Sequence, residues 1–244
     1  MNTVRTVSDT KRAFYTHHTR PINSIYRRVV EELMVEMHLL SVNVDFQYDP
    51  VYALGVVSSF DRFMEGYLPE ADKDSIFTAL CQALEGDTNV YRNDATTILD
   101  EIRDWSGDAV VSLLSDPNEG EGAQRLRDTI RRVSENTKFK YSRLFAIGLY
   151  TLIIAVDAQR MEEEKSRDLA LESVAQGLSL SLEKLQKDTE LYRSNLEKMK
   201  QAQAVLKDMR EAERKKRQER ALQKESSASS QSGDSAEAAA ESTD

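Results

Sequence analysis

Basic side chains form the most concentrated chemical feature of this sequence, and they lie near its carboxyl end. Between Lys200 and Lys224 nine lysines and arginines accompany four acidic residues. Such a segment is typical of binding to an acidic protein or to an anionic membrane surface, where each Lys or Arg contributes on the order of 1 kcal/mol. The candidate binding residues are Lys207, Arg210, Arg214, Lys215, Lys216, Arg217 and Arg220.

A second interpretation of this basic run needs no partner. Residues four apart on a helix, such as Glu213 and Arg217, can form ion pairs on an exposed and fully solvated helix. Nucleic acid is the least favoured partner, because the run lacks interleaved aromatic residues and an acidic tail follows it. The residues leave three interpretations open: a solvated helix, an acidic partner and an anionic membrane.

Histidines, the residues most often used as catalysts and metal ligands, are not arranged for either role. The sequence has no P-loop, no paired glycine fingerprint and no Cys or His spacing typical of a metal site. His17 and His18 are adjacent, so they point about 100° apart on a helix and are interpreted as a helix end. His38 is preceded at the third position by Val35, so the Glu-x-x-His pair of di-iron bundles is missing.

The remaining reactive groups are also interpreted as structural. Cys81 lies between Leu80 and Leu84 in a helical pattern, which predicts a small buried side chain. The acidic run from Glu162 to Glu164 is typical of a solvated helix surface. We therefore expect a protein that is not an enzyme and that needs no cofactor or metal.

Composition narrows the class of protein further. The chain has 244 residues and a formal net charge of −9, which argues against a general nucleic-acid binder. Its few glycines and prolines, nine and four, favour helices over a turn-rich β architecture. A single cysteine cannot form an internal disulfide. Residues Met1 to Asp9 do not contain the apolar run that is typical of a secretory signal. These features predict that the protein is located in a reducing, cytosol-facing compartment.

The segment from Leu144 to Val156, LFAIGLYTLIIAV, must organise the fold. It carries no charge, and as a helix it would be about 20 Å long. It has fewer than the ~20 apolar residues that a helix needs to cross a bilayer. A helix that is apolar on all sides is stable in water only when neighbours cover its whole circumference. The segment therefore predicts a buried core helix, with an interfacial membrane segment as the alternative.

Amphipathic stretches that could cover this core helix precede it in the chain. The clearest runs from Ile22 to Leu40, with apolar residues at helical spacing over about five turns. Asp49 and Pro50 then provide a cap and a first helical residue for another amphipathic helix, which carries Val51, Leu54, Val57, Phe60 and Met64 on one stripe. Seven or eight helices in about 160 residues predict an all-α fold, a compact multi-helix bundle in residues 1–160.

The pattern changes after residue 160. Apolar residues recur at helical and heptad spacing from Leu171 to Met199, which predicts one long and partly coiled-coil-like helix from about Ser166 to Lys224, roughly 90 Å in length. We expect its proximal part to pack on the body and its distal part to project, all within a segment 161–225. Residues 226–244 are rich in serine, alanine and acidic residues and predict a disordered tail.

Three stretches of the sequence resemble a known family. These are TVSDTKRAFYTHHTRPINSIYRRVVEELMVEMHLL (Thr6 to Leu40), YDPVYALGVVSSFDRFMEGY (Tyr48 to Tyr67) and KYSRLFAIGLYTLI (Lys140 to Ile153). They are similar to the thylakoid-formation family of cyanobacteria and chloroplasts, also described as a photosystem II biogenesis protein. The resemblance covers roughly residues 5 to 200. The chain lacks the serine- and arginine-rich leader of a plastid precursor, so it resembles the cyanobacterial form.

This resemblance carries expectations about function. It implies an all-helical, non-enzymatic protein, peripheral on the cytoplasmic face of the thylakoid membrane, that supports photosystem II assembly and repair and acts with the membrane-bound FtsH protease complex. Photosystem II assembly intermediates and anionic thylakoid lipid are further expected partners. Three alternatives remain: a structural coiled-coil oligomer, an anionic-membrane scaffold without protease contact, and a helical enzyme or pigment carrier.

Overall fold

A computed structural model describes residues 5–118 and 120–237 of the chain. Within those ranges every regular element is an α-helix, which confirms the predicted all-α class. The helices in chain order are α1 (Val7–His17), α2 (Ser24–Ser41), α3 (Pro50–Phe63), α4 (Asp72–Ala83), α5 (Thr88–Glu101), α6 (Gly107–Ser115), α7 (Gln124–Glu135), α8 (Arg143–Val156), α9 (Ala158–Glu162), α10 (Glu164–Gly177) and α11 (Leu182–Glu237).

Helix α8 is the predicted core helix, and the structure confirms its central position. Every residue from Leu144 to Ile153 is buried, so neighbouring helices cover all of its sides over that length. The helix begins where the Ser142 side chain accepts a hydrogen bond from the Phe145 amide at 3.0 Å. Helices α3, α6 and α9 pack against it, with α3 as the main neighbour.

Helix α3 differs from the single apolar stripe that the sequence predicts. All residues from Pro50 to Phe60 are buried, including the small and polar ones between the stripe positions. The reason is that α3 lies between α8 on one side and α5 on another, with α2 and α7 also in contact. The bundle therefore has two central helices, and α3 and α8 form its core together.

The two central helices touch through their backbones at a pair of glycines. A Cβ atom on Gly55 of α3 would lie 1.8 Å from the Leu144 carbonyl oxygen, and one on Gly148 of α8 would lie 2.0 Å from the Val51 carbonyl oxygen. No side chain fits at either position. The glycines therefore set the closest approach of α3 and α8.

The C-terminal segment corrects the prediction of one helix from Ser166 to Lys224. The structure has two helices there, α10 and α11, separated at residues 178–181. Ser179 adopts a left-handed backbone with φ of 52°, and the Leu180 amide donates to the Ala175 carbonyl at 2.8 Å. Gly177 approaches so near to α6 that a Cβ would lie 1.9 Å from the Ser115 carbonyl oxygen. Helix α10 therefore ends where it packs against α6, and the apolar pattern from Leu171 to Met199 is divided between two helices.

The chain divides into two units, one ending at Leu196 and the other beginning at Glu197. The first contains α1 to α10 and the start of α11, and it holds the core described above. The second is helical as far as Glu237, past Ser226, where the composition predicts a disordered tail. The last part of that predicted tail, 238–244, lies outside the described residues.

Candidate binding surface

Histidine, cysteine and acidic side chains are the residue types that could hold a metal ion. Among the residues that the structure describes, no group of three His, Cys, Asp or Glu side chains is placed to hold a metal ion. His17 is the last residue of α1 and His18 is its C-cap, as the sequence predicts. Glu162, Glu163 and Glu164 are exposed, as expected of a solvated surface.

Two of the histidines have structural partners that the sequence does not reveal. His18 is buried, and its Nδ1 lies 3.0 Å from the Ser75 hydroxyl of α4. Burial lowers the pKa of His18, and the nearby Asp72 carboxylate opposes that shift. His38 is also buried, with its Nδ1 2.9 Å from the Thr10 hydroxyl of α1. Both rings therefore connect helices of the body.

Cys81 is fully buried in α4, as predicted for a small core side chain. Burial raises the pKa of its thiol to about 11. At neutral pH the side chain is therefore the thiol and not the thiolate that acts as a nucleophile.

Surface grooves are open and lined by both signs of charge. One groove of 670 Å³ follows the outer side of α2, where Val35 and Leu39 are exposed beside an ion pair of Arg143 with Glu36 at 2.5 Å. Another, of 630 Å³, lies between α10 and the start of α11 and is lined by Arg167 and Glu190 among others. These grooves do not exclude water in the way that an enclosed reaction site does.

The predicted basic residues lie on α11, and all seven are exposed. At about 100° per residue, Lys200, Lys207, Arg210, Arg214 and Arg217 fall within about 100° of arc on one side of the helix. We call these five residues the basic stripe. The other three candidates, Lys215, Lys216 and Arg220, lie about 110° or more from the midline of the stripe by the same geometry.

Ion pairs do not occupy the basic stripe among the side chains of α11 that the structure describes. Over the part of α11 whose side chains the structure describes, none of the five stripe residues pairs with a carboxylate, and the pair expected between Glu213 and Arg217 is not formed. Earlier in the same helix Arg193 does pair with Glu190, at 2.8 Å. The charges of the stripe are therefore available to a partner.

None of the helices in the described residues combines the length and the apolar character needed to cross a bilayer. The fold and the surface thus define an all-helical protein whose core is the pair of buried helices α3 and α8. Its body has open grooves, and exposed positive charge is concentrated on α11.

Comparison with known proteins identifies the family. A family model described as thylakoid formation protein matches residues 6–221, and the chain belongs to that family. The protein Thf1 of Rippkaea orientalis is 55% identical over 219 residues, which cover 89% of this chain and 93% of that protein. Thf1 of Nostoc sp. is 56% identical over 223 residues, 91% of this chain and 96% of that protein. The resemblance to the cyanobacterial form is confirmed.

A solved structure, titled as that of Psb29, also matches. It has a TM-score of 0.75 and 44% sequence identity, and the match covers 87% of this chain and 98% of the solved one. This likeness confirms the helical architecture. Family membership supports a role in thylakoid biogenesis and photosystem II, and the family is named for thylakoid formation and not for a reaction.

Proposed function

We propose that this chain is a non-enzymatic accessory protein of photosystem II assembly and repair, peripheral at the cytoplasmic face of the thylakoid membrane. The observation that carries this proposal is the family match over residues 6–221. The structure is compatible with a binding role, since its cysteine is a buried thiol and its grooves are open. The chain acts by holding other components and not by transforming a substrate.

The proposed protein partner is a membrane-bound protease complex of the FtsH type. This part of the proposal is supported by the resemblance to the thylakoid-formation family. In this role the chain is an adaptor, which stabilises the protease or brings it to photosystem II assembly intermediates. The seven basic residues of α11 are the proposed docking surface, because they are exposed and attract an acidic partner or membrane from a distance.

Affinity purification of the tagged full-length chain from its own cells tests the partners. Subunits of the protease and proteins of photosystem II should copurify from detergent-solubilised membranes. The control is an unrelated tagged peripheral protein expressed at the same level. Recovery of neither partner above this control would contradict the proposal.

A charge-removing variant tests the docking surface. Replacing Arg214, Lys215, Arg217 and Arg220 by glutamine removes four charges and keeps helix propensity nearly unchanged. Recovery of the protease complex or of membranes should fall while the helical circular dichroism signal stays the same. Unchanged recovery would assign docking to the body, first to the exposed side of α2.

A coiled-coil oligomer is the second candidate function, and one observation favours it. Val205 and Met209 are 58% and 59% exposed, on the side of α11 away from the basic stripe. Apolar residues four apart can pack against the same residues of a second copy. A mass that rises with concentration in sedimentation, and that is lost when both residues are changed to glutamine, would support this candidate.

A further inference from the structure

The basic stripe contains a subset of the seven candidate residues together with Lys200, and its geometry narrows the class of partner. We propose that the stripe, Lys200, Lys207, Arg210, Arg214 and Arg217, binds the anionic headgroups of a lipid bilayer. All five side chains belong to the unit that begins at Glu197, and all are exposed. The inference rests on the proposed peripheral role at the thylakoid and names the surface that α11 meets.

The row of charges is long and stays on one side of the helix. From Lys200 to Arg217 it extends about 26 Å along the helix axis at about 1.5 Å per residue. A flat anionic surface engages every member of such a row at once. A protein partner would need a row of carboxylates with the same spacing as the basic side chains. Lipid headgroups diffuse in the plane of the membrane, so they can move to positions opposite each basic side chain.

Acidic residues on the rest of the helix orient it. By the same helical geometry the carboxylates of Asp208, Glu211, Glu213 and Glu219 lie about 70° or more from the midline of the stripe. An anionic bilayer attracts the stripe, whereas on the opposite side the carboxylates of Asp208 and Glu219 offset the charges of Lys215 and Lys216. The helix therefore has one preferred side for contact with a membrane.

The contact is electrostatic and does not insert the helix. Val205 and Met209 are exposed on other sides of the helix, about 130° or more from the midline of the stripe, so they cannot enter the bilayer while the stripe faces it. Helices that do insert place their apolar residues between the flanking charges. Binding should weaken strongly as salt shortens the screening length from about 10 Å at 0.1 M.

The size of the effect follows from the charges. Each Lys or Arg near an anionic membrane contributes about 1 kcal/mol, which is about fivefold in affinity. Removing two stripe residues should then weaken binding about 30-fold. Removing two basic residues from other sides of the helix should cost less than about fivefold, because those groups remain farther from the membrane and are screened.

A matched pair of variants tests the inference with lipid alone. Arg210→Gln with Arg214→Gln removes two charges from the stripe, and Lys215→Gln with Lys216→Gln removes two from outside it. Binding of the full-length chain is measured by co-sedimentation with vesicles of phosphatidylcholine, with and without phosphatidylglycerol. We expect binding only to vesicles with the anionic lipid, a large loss for the first pair and a small loss for the second.

Three results would overturn the inference: no binding by the wild type to the anionic vesicles, equal binding to neutral vesicles, or equal losses for the two pairs. A stripe variant that binds vesicles like the wild type but loses the protease in detergent extracts would also overturn it, and would assign the stripe to an acidic protein. Because the vesicle test contains no protein partner, its failure leaves the proposed protease role standing.

Discussion

Two buried polar side chains of the central helices, Thr151 and Asp49, are held by nearby backbone groups. Thr151, the polar residue within the apolar run of α8, donates to the Ile147 carbonyl at 2.7 Å. Asp49 accepts from the Tyr52 amide at 2.8 Å and caps the buried helix α3. Such local bonds remove the cost of burying a polar atom without creating a reactive group. They explain how a core this apolar tolerates these side chains.

Asp49 provides a prediction about pH. Its burial raises the pKa of the carboxyl group to about 6, above the value of about 3.9 in an unfolded chain. The folded state therefore keeps the proton longer, and stability is lost as the pH rises from about 4 to about 6. Asn keeps the capping oxygen and cannot ionise. Asp49→Asn should therefore stabilise the protein at about pH 7, relative to about pH 4, by on the order of 2 kcal/mol.

Urea unfolding of the wild type and the variant at both pH values checks this prediction. Asp87→Asn is the control, because Asp87 caps α5 through the Asn89 amide but is exposed. A difference between wild type and Asp49→Asn that does not change with pH would show that ionisation at this cap has no cost.

At the scale of elements, the crossing of α3 and α8 is the decisive contact of the body. Both helices are buried on all sides over most of their length, and Gly55 and Gly148 let their backbones meet. Close approach increases the dispersion contacts of the flanking side chains, which are individually weak and collectively large. The remaining helices of the body can then be amphipathic, each with one face toward this pair.

We expect Gly148→Ala to destabilise the body. Helix propensity alone would favour alanine by about 1 kcal/mol, but the new Cβ would lie 2.0 Å from the Val51 carbonyl oxygen. Relieving a clash between two backbones requires α3 and α8 to separate, at a cost of about 3 kcal/mol or more. The melting temperature should fall by roughly 10 °C for a chain of this size.

Gly86→Ala is the control for the backbone clash, since Gly86 lies outside the helices and its Cβ would come no nearer than 3.1 Å, to a side chain, the Tyr91 ring. Differential scanning calorimetry of both variants separates the two cases. A Gly148→Ala protein as stable as the wild type would mean that the helix crossing adapts without cost.

For the whole molecule, charge is distributed unevenly along the chain. The formal net charge is −9, yet the segment from Lys200 to Lys224 has five more basic than acidic residues, nine against four. From Lys207 to Arg220 every side chain is exposed, so this segment adds charge without adding buried surface. Stability and binding are therefore expected to depend on different parts of the sequence.

Truncation tests that separation. A chain that ends at Leu206 should melt within a few degrees of the full-length protein, because the described side chains that it loses are exposed. The same truncation should abolish binding to anionic vesicles. A chain that ends at Gly177 is the contrasting case, since it also loses Leu185 and Tyr192, which are 0% and 2% exposed, and should fail to fold. Circular dichroism melting measures both, and a large loss of stability for the longer chain would contradict the prediction.

Local pattern in the sequence was sufficient for the class of fold, the buried helix from Leu144 and the buried Cys81. Each of these depends on composition or on helical spacing within one segment. The even burial of α3, the contact of Gly55 with Gly148 and the break between α10 and α11 depend on which helices meet, and spacing within one helix does not encode its neighbours. The spacing of Glu213 and Arg217 permits an ion pair, but the positions of the two side chains in the described part of α11 do not form it. The sequence determined which residues must be buried or charged, and the tertiary structure decided what each of them contacts.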